Sequence, residues 1–538
     1  MTKKNYLLAL LSAFILWLAW PPHLWLAPLL LIGLVPLFIA LNHTIDQKLK
    51  KTGKRVFLTA GLTFLVWNTA SIYWVYNAIS ASNTGFIGAV VSLLVSLIPY
   101  GLGALLMTFA FWLYYQLSTK VNTKIAYLGL ISFYIAMEYL HQSWDLAFPW
   151  MTLGNGFAGM HQLAQWYEYT GVYGGSFWIL LSNILAFEAY KAWKNNDSKL
   201  KSTLSFALVI ALPIGFSLYT YFSYKEKSVP VNVVAVQPNI DPYQKFTTIS
   251  VQTQFDILKR LSDSVAQSNT EYFIWPETAL ALYENEDKIR ANPVFLQAQQ
   301  FLNKYKNGTL ITGVETRKFY NSKETVSAQV NPNGGFYDSY NAALQVENSA
   351  EVAFYHKSKL VPGVEKMPFP ETLAFLAPVF ETLGGSSSGW GWQEKPDVFY
   401  SQNGVGVAPV ICYESIWGSW VGESVKNGAQ FIAVITNDGW WGNTSGKDQH
   451  LLYAKLRAIE TRRWVVRSAN TGISAFINQR GDVVKQSKWW TRTALKADIN
   501  LNDSITTYVN SGDILAQLFS VLAVVLALII PYNKWIKK

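Results

Sequence analysis

The chain has 538 residues, of which 51% are hydrophobic and only 14% charged, and 22 of them are tryptophan. Because about a quarter of the residues in soluble domains are charged, this composition excludes an ordinary soluble enzyme and indicates a membrane protein. The formal net charge is +10, but the basic residues are spread over short loops and form no patch of the kind that binds nucleic acid.

Seven apolar stretches precede a more polar region of the chain, and an eighth follows it. A helix of about 20 apolar residues crosses a bilayer, so each stretch is a candidate membrane span. The first two are short and are separated by Pro21-Pro22, so they could form a helical hairpin that enters the bilayer only partly. The first is interpreted as a retained span rather than a signal peptide, because no small-residue cleavage site follows it. The stretches are residues 6–20, 25–41, 56–79, 86–117, 125–140, 174–193, 204–222 and 514–532.

The distribution of lysine and arginine over the loops predicts the orientation of the spans. Basic residues occur at the N-terminus, in the loops around residues 48–55, 120–124 and 191–201, and in the C-terminal tail. The opposite loops, residues 80–85 and 141–171, contain neither Lys nor Arg. Because basic loops stay on the cytoplasmic side, both termini are predicted to be cytoplasmic. Seven spans then place the polar region on the other side of the membrane.

The polar region is predicted to be an α/β domain, because short β-branched runs alternate with segments of helical periodicity. Three parts follow along the chain: a transmembrane bundle at residues 1–224, the α/β domain at 225–503, and a C-terminal transmembrane helix with a cytoplasmic tail at 504–538. The predicted strands are 231–237, 271–275, 309–314, 339–346, 352–355, 406–411 and 431–436, and the predicted helices are 248–268, 294–305 and 449–462.

Cys412 is the only cysteine of the chain, and it directly follows the predicted strand 406–411. A single free cysteine is commonly a buried structural residue, but two other strand ends carry side chains that could activate it. Glu277 and Lys357 each follow an apolar strand. A nucleophilic thiol needs a base, and the oxyanion that it forms on a carbonyl needs a cation or N–H donors. Taken singly, each of the two charged residues also fits a solvated loop.

Four short motifs follow one another through the polar region. They are Trp275-Pro276-Glu277, then Tyr355-x-Lys357-x-x-Leu360-Val361-Pro362 with Glu365 eight residues after the lysine, then Ile411-Cys412-Tyr413-Glu414, and finally residues 437–442, NDGWWG. In this order, and with matching membrane spans, they resemble bacterial apolipoprotein N-acyltransferases, which are membrane-embedded members of the nitrilase superfamily. The resemblance extends to the layout of the whole chain. It implies a four-layer α-β-β-α sandwich for the polar region, joined to an α-helical transmembrane bundle.

The resemblance implies a catalytic triad in which Glu277 is the general base, Lys357 stabilises the oxyanion and Cys412 is the nucleophile. Physical chemistry agrees with these roles. A carboxylate in a pocket walled by Trp275 and Pro276 should be partly desolvated and therefore a stronger base, and a nearby lysine should favour the thiolate. The backbone N–H of Tyr413 is expected to be a second oxyanion donor.

Further positions of the resemblance are expected to support the triad. Glu365 is predicted to lie beside it, and Tyr413 and Glu414 to shape the pocket. Trp440 matches an aromatic residue associated with lipid access, although it could equally be an interfacial anchor. Phe246 stands where a tryptophan is common, and Gly363-Val364 stands where Phe-Gly is common before the glutamate. Both departures fall around the implied lipid entrance.

The implied reaction has two steps. Cys412 takes an acyl chain from a membrane phospholipid as a thioester, and the α-amino group of the diacylglyceryl-modified N-terminal cysteine of an apolipoprotein accepts it. The enzyme is expected to act as a monomer in the bacterial inner membrane, with its catalytic domain in the periplasm, and to need no metal or cofactor, since none of its six histidines forms an HExxH motif.

Two alternatives involve other classes of protein. A membrane-anchored nitrilase-type amidase would use the same triad with water as the acceptor, but it would not require so many spans. A transporter would explain the helices but not the large extracytoplasmic domain, and it would place polar residues near the middle of the spans, where they are sparse.

Overall fold

The computed structural model describes residues 3–47, 50–80, 85–373, 375, 377–378 and 389–535. These residues form two compact units. The first unit contains the described residues up to Tyr76, Gly85–Ser223 and those from Ser511 onward, and the second contains Tyr224–Asn510 together with a short segment that begins at Asn77. Lys48, Lys537, Lys538 and residues 81–84, which entered the prediction of orientation, lie outside the described residues.

The first unit is helical. Five of its described segments are long and apolar enough to cross a membrane: Ala27–Asp46, Gly85–Ser118, Tyr167–Asn195, Lys199–Ser223 and Ile514–Pro531. Long helices also occur at the other predicted spans, but they fall outside this set, so the number of crossings remains a prediction. The α-helices are α1 Lys3–Ala19, α2 Val35–Asp46, α3 Thr52–Ser71, α4 Val75–Ser80 (shared with the second unit), α5 Gly85–Ser118, α6 Thr123–Gln142, α7 Tyr167–Asn195 and α8 Lys199–Ser223.

The interior of the helical unit is aromatic, and much of its surface is apolar. Phe64 of α3 contacts Phe111 of α5 and Tyr134 of α6, with ring centroids 5.2 and 6.1 Å apart. Leu93 and Leu97, on the other side of α5, are exposed. Large exposed apolar surfaces of this kind are expected on helices that face lipid. The chain is therefore a membrane protein.

The second unit contains all of the described strands, which form two sheets. The larger sheet has the order β14-β1-β2-β4-β6-β5, with β3 paired to β4 and β7 paired to β6, and the smaller has the order β13-β12-β11-β10-β9-β8. The strands are β1 Pro230–Gln237, β2 Thr270–Ile274, β3 Leu280–Asn285, β4 Thr309–Tyr320, β5 Gln329–Val330, β6 Phe336–Val346, β7 Ala353–His356, β8 Phe399–Tyr400, β9 Gly406–Ile411, β10 Phe431–Thr436, β11 Val465–Ala469, β12 Ala475–Ile477, β13 Val483–Gln486 and β14 Thr493–Asn500.

The two sheets pack face to face, and helices cover their outer faces. Successive side chains of a strand point to opposite faces, and both faces of β1 are apolar. Val233 lies in the core between the sheets, whereas its neighbour Val234 lies in the core under the helices. The remaining helices are α9 Val251–Val265, α10 Pro293–Leu302, α11 Pro370–Leu373, α12 Gly418–Lys426, α13 Ser445–Thr461, α14 Thr507–Ser511 and α15 Ile514–Trp535. The first two of these pack on the larger sheet, and α12 and α13 pack on the smaller.

This arrangement confirms the predicted α-β-β-α sandwich. Within each sheet the central strands are parallel: β1, β2 and β4 in one, and β9, β10 and β11 in the other. Parallel strands present their carboxyl ends at one edge, where α/β sheets commonly bind ligands. The segments after β2, β7 and β9 carry Glu277, Lys357 and Cys412 respectively.

Candidate functional site

Cys412 is held in a strained turn. It directly follows β9 and begins a single 3-10 turn, Cys412–Ile416, with a φ of 52°. A left-handed backbone is uncommon for a residue with a side chain and occurs preferentially at functional sites. Ser415 Oγ donates to the Cys412 carbonyl oxygen at 2.8 Å. The turn thus fixes the direction of the thiol at the end of its strand.

Glu277, Lys357 and Glu365 come together in a buried charge cluster. The Nζ of Lys357 lies 3.1 Å from Oε1 of Glu277 and 2.7 Å from Oε1 of Glu365. The lysine is only 1% exposed and Glu277 only 6%. One cation between two carboxylates leaves the cluster with net negative charge, which suits proton abstraction by one of the carboxylates.

Asn341 of β6 links the two carboxylates, and the sequence prediction missed it. Its Nδ2 donates to Glu277 Oε1 at 2.8 Å and to Glu365 Oε1 at 3.3 Å. The other oxygen of Glu365 accepts from the backbone N–H of Val361 at 2.8 Å. The sequence signal was an amide side chain at the start of the largely apolar run Asn341–Val346, at a position that turns out to face the site.

The Lys357 ammonium is charged. Burial alone would lower the pKa of Lys357, but the carboxylates of Glu277 and Glu365 outweigh burial and raise it well above its ordinary value. A buried lysine of this kind is a fixed positive charge and cannot be a general base. It is therefore suited to stabilise negative charge that develops on a substrate.

The Cys412 thiol is protonated in the resting structure. Burial is the main cause and the Glu277 carboxylate the next, and together they raise the pKa of Cys412 well above its ordinary value although Lys357 lowers it. Lys357 thus favours the thiolate, as expected, but its effect is smaller than that of burial and Glu277. Since the thiolate is the nucleophilic form, the proton must leave the sulfur during attack, which makes a neighbouring base essential.

Glu414 ties the segment after β7 to the segment after β9. Its Oε1 accepts from the backbone N–H of Ser358 at 2.6 Å and from the hydroxyl of Tyr355 at 2.8 Å, and its Oε2 accepts from the backbone N–H of Ile411 at 2.8 Å. The carboxylate is fully buried. Glu414 therefore sets the separation between Lys357 and Cys412 and is not itself placed to react.

A second buried charge network contacts the backbone of the turn that carries the nucleophile. His450 Nε2 lies 3.1 Å from the Cys412 carbonyl oxygen and 2.8 Å from Ser415 Oγ, and His450 Nδ1 lies 3.0 Å from Asp438 Oδ1. Arg467 pairs with the other oxygen of Asp438. Burial and the Arg467 charge lower the pKa of His450, so the imidazole is neutral. The contact of His450 with the nucleophile is made to the backbone carbonyl oxygen.

The remaining supporting residues lie at the rim or behind the turn. Tyr413 is buried and packs against Trp417 at a centroid distance of 4.9 Å. Trp440 is 36% exposed and contacts Tyr243 edge to face. Phe246 is 41% exposed. Both aromatic side chains are exposed, and their role at a lipid entrance stays a prediction.

Trp275 does not wall the carboxylate, and this part of the prediction is corrected. Its indole is fully buried in the core under the helices, where Nε1 donates to Ser262 Oγ of α9 at 2.9 Å. Glu277 lies three residues beyond Ile274, the last residue of β2 paired to β4, where the chain has already turned. Desolvation of Glu277 comes from the surrounding site and not from this indole.

Lys245 is a further buried cation that the sequence prediction missed. Its Nζ donates to Thr278 Oγ1 at 2.8 Å and to the Glu277 carbonyl oxygen at 3.3 Å. Burial lowers the pKa of Lys245 to about 8. The lysine holds the backbone that carries Glu277, so it orients the carboxylate indirectly.

Comparisons with known proteins agree with this layout. A carbon-nitrogen hydrolase family model matches residues 232–508, and a model of the apolipoprotein N-acyltransferase N-terminal domain matches residues 12–185. The apolipoprotein N-acyltransferase of Chlorobaculum tepidum is 30% identical over 99% of this chain and 97% of its own. That of Vibrio parahaemolyticus is 28% identical over 86% of each chain. The structure of Nit3 of Saccharomyces cerevisiae, a nitrilase-superfamily member, is 17% identical with a TM-score of 0.36, and the match covers 52% of this chain and 92% of Nit3.

Proposed function

Since the chain belongs to the apolipoprotein N-acyltransferase family of carbon-nitrogen hydrolases, we propose that it moves an acyl chain from a membrane phospholipid to a lipoprotein. The acceptor is the α-amino group of a diacylglyceryl-modified N-terminal cysteine. The observation that carries the proposal is the buried cluster of Glu277, Lys357 and Glu365 beside the lone thiol of Cys412, in a chain whose described residues include five helices apolar enough to span a membrane.

The first half-reaction forms a thioester. The Cys412 sulfur attacks the carbonyl carbon of a phospholipid ester while Glu277 takes the thiol proton. Lys357 and the backbone N–H of Tyr413 stabilise the oxyanion of the tetrahedral intermediate. When the intermediate collapses, the ester C–O bond breaks, and the lysophospholipid leaves as an alcohol that carries the proton from Glu277.

The second half-reaction uses the same groups in the same order. The neutral amine attacks the thioester carbon, Lys357 again stabilises the oxyanion, and Glu277 accepts a proton from the nitrogen. Breaking the C–S bond releases the sulfur of Cys412, which regains a proton from Glu277. An amide has formed and the enzyme has returned to its resting state, so the cycle is ping-pong and consumes no other reactant.

The acceptor distinguishes this proposal from a membrane-anchored amidase. The relatives named apolipoprotein N-acyltransferase match nearly the whole chain, helical unit included, and this favours acyl transfer. We expect the purified protein, given a phospholipid with a labelled acyl chain and a diacylated lipopeptide, to produce triacylated lipopeptide and lysophospholipid in equal amounts. Liquid chromatography with mass spectrometry measures both. Release of free fatty acid without acylated lipopeptide would identify an amidase-like hydrolase and contradict the proposal.

We further propose that residues 225–503 face the periplasm, because the loops without basic residues lie on their side of the predicted spans. Asn443, in this part of the chain, is exposed. In a Cys412→Ala background, Asn443→Cys should react with a membrane-impermeant thiol reagent added to cells with a permeabilised outer membrane. Lys54→Cys, at the start of α3, is the matched control and should react only after the inner membrane is lysed. The opposite pattern would reverse the orientation.

A further inference from the structure

Arg317 of β4 is a cation without an acidic partner at the rim of the catalytic unit. Its guanidinium lies between two aromatic rings, 5.7 Å from the centroid of Tyr283 and 5.4 Å from that of Tyr337. Within the described part of the chain no carboxylate lies within ion-pair distance of it, and its buried Nε has no acceptor. With no carboxylate beside it in the described residues, the guanidinium keeps its positive charge available to an anion.

The face of β4 that carries Arg317 is the face that lines the site. Ile311 lies in the core between the sheets. A side chain at Gly313, two residues on, would meet the Glu277 backbone, since a Cβ there would lie 2.6 Å from Glu277 Cα. Glu315 pairs with Asn341, which binds the Glu277 carboxylate. Arg317 is the next residue on this face, about 7 Å farther along the strand, so it lies just outside the triad.

Glu315 does not neutralise Arg317. Its carboxyl group accepts a hydrogen bond from the hydroxyl of Tyr283, and its electrostatic partners include Lys245 and Glu277. Burial raises the pKa of Glu315. The same tyrosine therefore binds the acid with its hydroxyl and stacks on the arginine with its ring. This leaves the guanidinium charge available to a ligand.

We propose that Arg317, held between Tyr283 and Tyr337, binds the phosphodiester of the acyl donor. A guanidinium presents paired N–H donors that match two phosphate oxygens, and stacking on aromatic rings fixes its plane. In a glycerophospholipid only the glycerol carbons separate the phosphodiester from the acyl ester. A phosphate at Arg317 therefore places the ester toward Cys412. Tyr283 is 44% exposed, so the subsite is open to a ligand from outside.

This assignment rests on the proposed function and concerns the recognition of its donor. It also predicts an asymmetry between the two substrates. The phospholipid carries a phosphate, whereas the diacylglyceryl group of the acceptor does not. The subsite should therefore affect formation of the thioester and not its transfer to the amine.

The test compares two donors of acyl chains to Cys412. One is a phospholipid in mixed micelles, and the other is p-nitrophenyl palmitate, an activated ester without phosphate. Arg317→Gln removes the charge but keeps a polar side chain, and Lys318→Gln, its exposed neighbour on the other face of β4, is the matched control. Because a hydrogen bond to a charged group contributes about 1.5–3 kcal/mol, the preference for phospholipid in kcat/KM should fall about tenfold or more, mainly through KM. The control should keep the wild-type preference.

Each other outcome has a definite meaning. An equal loss with both donors would show that Arg317 only supports the fold, and this would overturn the proposal. A further measurement is the change that added inorganic phosphate causes in the rate of thioester formation by the wild type. If Arg317→Gln abolishes that change but leaves the preference for phospholipid unchanged, the subsite binds a free anion and the assignment to the donor is wrong. If the glutamine variant does not fold, Arg317→Lys tests the same point, because it keeps the charge but loses the paired donors and should lower the preference partially. A wild-type enzyme that forms no thioester from phospholipid would contradict the proposed function itself, whatever the behaviour of Arg317.

Discussion

Replacing Cys412 with serine should abolish turnover, with a loss of about a thousandfold or more, the scale seen when an enzyme loses its nucleophile. The site offers a base, Glu277, that is matched to a thiol. A serine hydroxyl is far less acidic than a thiol, so the same carboxylate could not remove its proton at a useful rate. Cys412→Ser keeps the size and the hydrogen-bonding character of the side chain, so a large loss would reflect chemistry and not packing.

Mass spectrometry of the protein after exposure to phospholipid measures the effect directly. In the wild type, the tryptic peptide that contains Cys412 should gain the mass of one acyl chain, and hydroxylamine should remove it, as expected for a thioester. The serine variant should show neither change while melting at the temperature of the wild type. An acyl chain on another residue, or undiminished turnover in the variant, would be incompatible with the assignment of the nucleophile.

Glu277→Gln and Lys357→Met should change the reactivity of Cys412 in opposite directions. The Glu277 carboxylate raises the pKa of the thiol and the Lys357 ammonium lowers it. Alkylation by iodoacetamide depends on the thiolate, so at a given pH it should be faster in Glu277→Gln and slower in Lys357→Met. In the wild type the rate should keep rising through the alkaline range, because the thiol pKa is above its ordinary value and the thiolate fraction grows as pH increases.

Catalysis should respond differently from alkylation. Without its base, Glu277→Gln should form the acyl-enzyme more slowly by about 100- to 10,000-fold, although its thiol is more reactive. With a preformed thioester, the remaining defect of Glu277→Gln should ease as pH rises and more of the acceptor amine is deprotonated. Lys357→Met should be slow in both half-reactions at every pH, because each passes through an oxyanion. Parallel pH profiles in single-turnover experiments would mean that the two roles are assigned wrongly.

The sequence predicted the architecture because buried parallel strands are visible as apolar runs. The predicted strands 406–411 and 431–436 coincide with β9 and β10. The prediction missed β3, the two-residue strands β5 and β8, and the last four strands, β11 to β14. Polar residues interrupt β11, and β13 and β14 are partly exposed. None of these three strands has the continuous apolar character that marks a strand buried on both faces.

For the site, the sequence identified the residues that meet and missed much of what controls them. The motifs predicted that Glu277, Lys357 and Glu365 lie side by side, and the three residues are in contact. They could not show that Trp275 points to the opposite face, because the face of a strand end depends on where the chain leaves the sheet. Nor could they give the state of the Cys412 thiol, since its pKa depends on burial and on three nearby charges, of which only Lys357 lowers it. Asn341 and Lys245 were missed because their roles exist only once distant segments meet.

Glu414 has a consequence for how substrates reach the thiol. Its carboxylate joins backbone donors on both sides of the sandwich, at Ser358 and at Ile411, so the segments that follow β7 and β9 must move as one body. A hinge that parted the layers at this edge would have to strip several hydrogen bonds from a buried charge at once, which is too costly for every turnover. The two bulky lipid substrates must therefore enter and leave in succession through the loops around the site, while the segments that carry Lys357 and Cys412 stay fixed relative to each other. Changes in those loops can alter which chains are accepted while the reacting atoms stay in register.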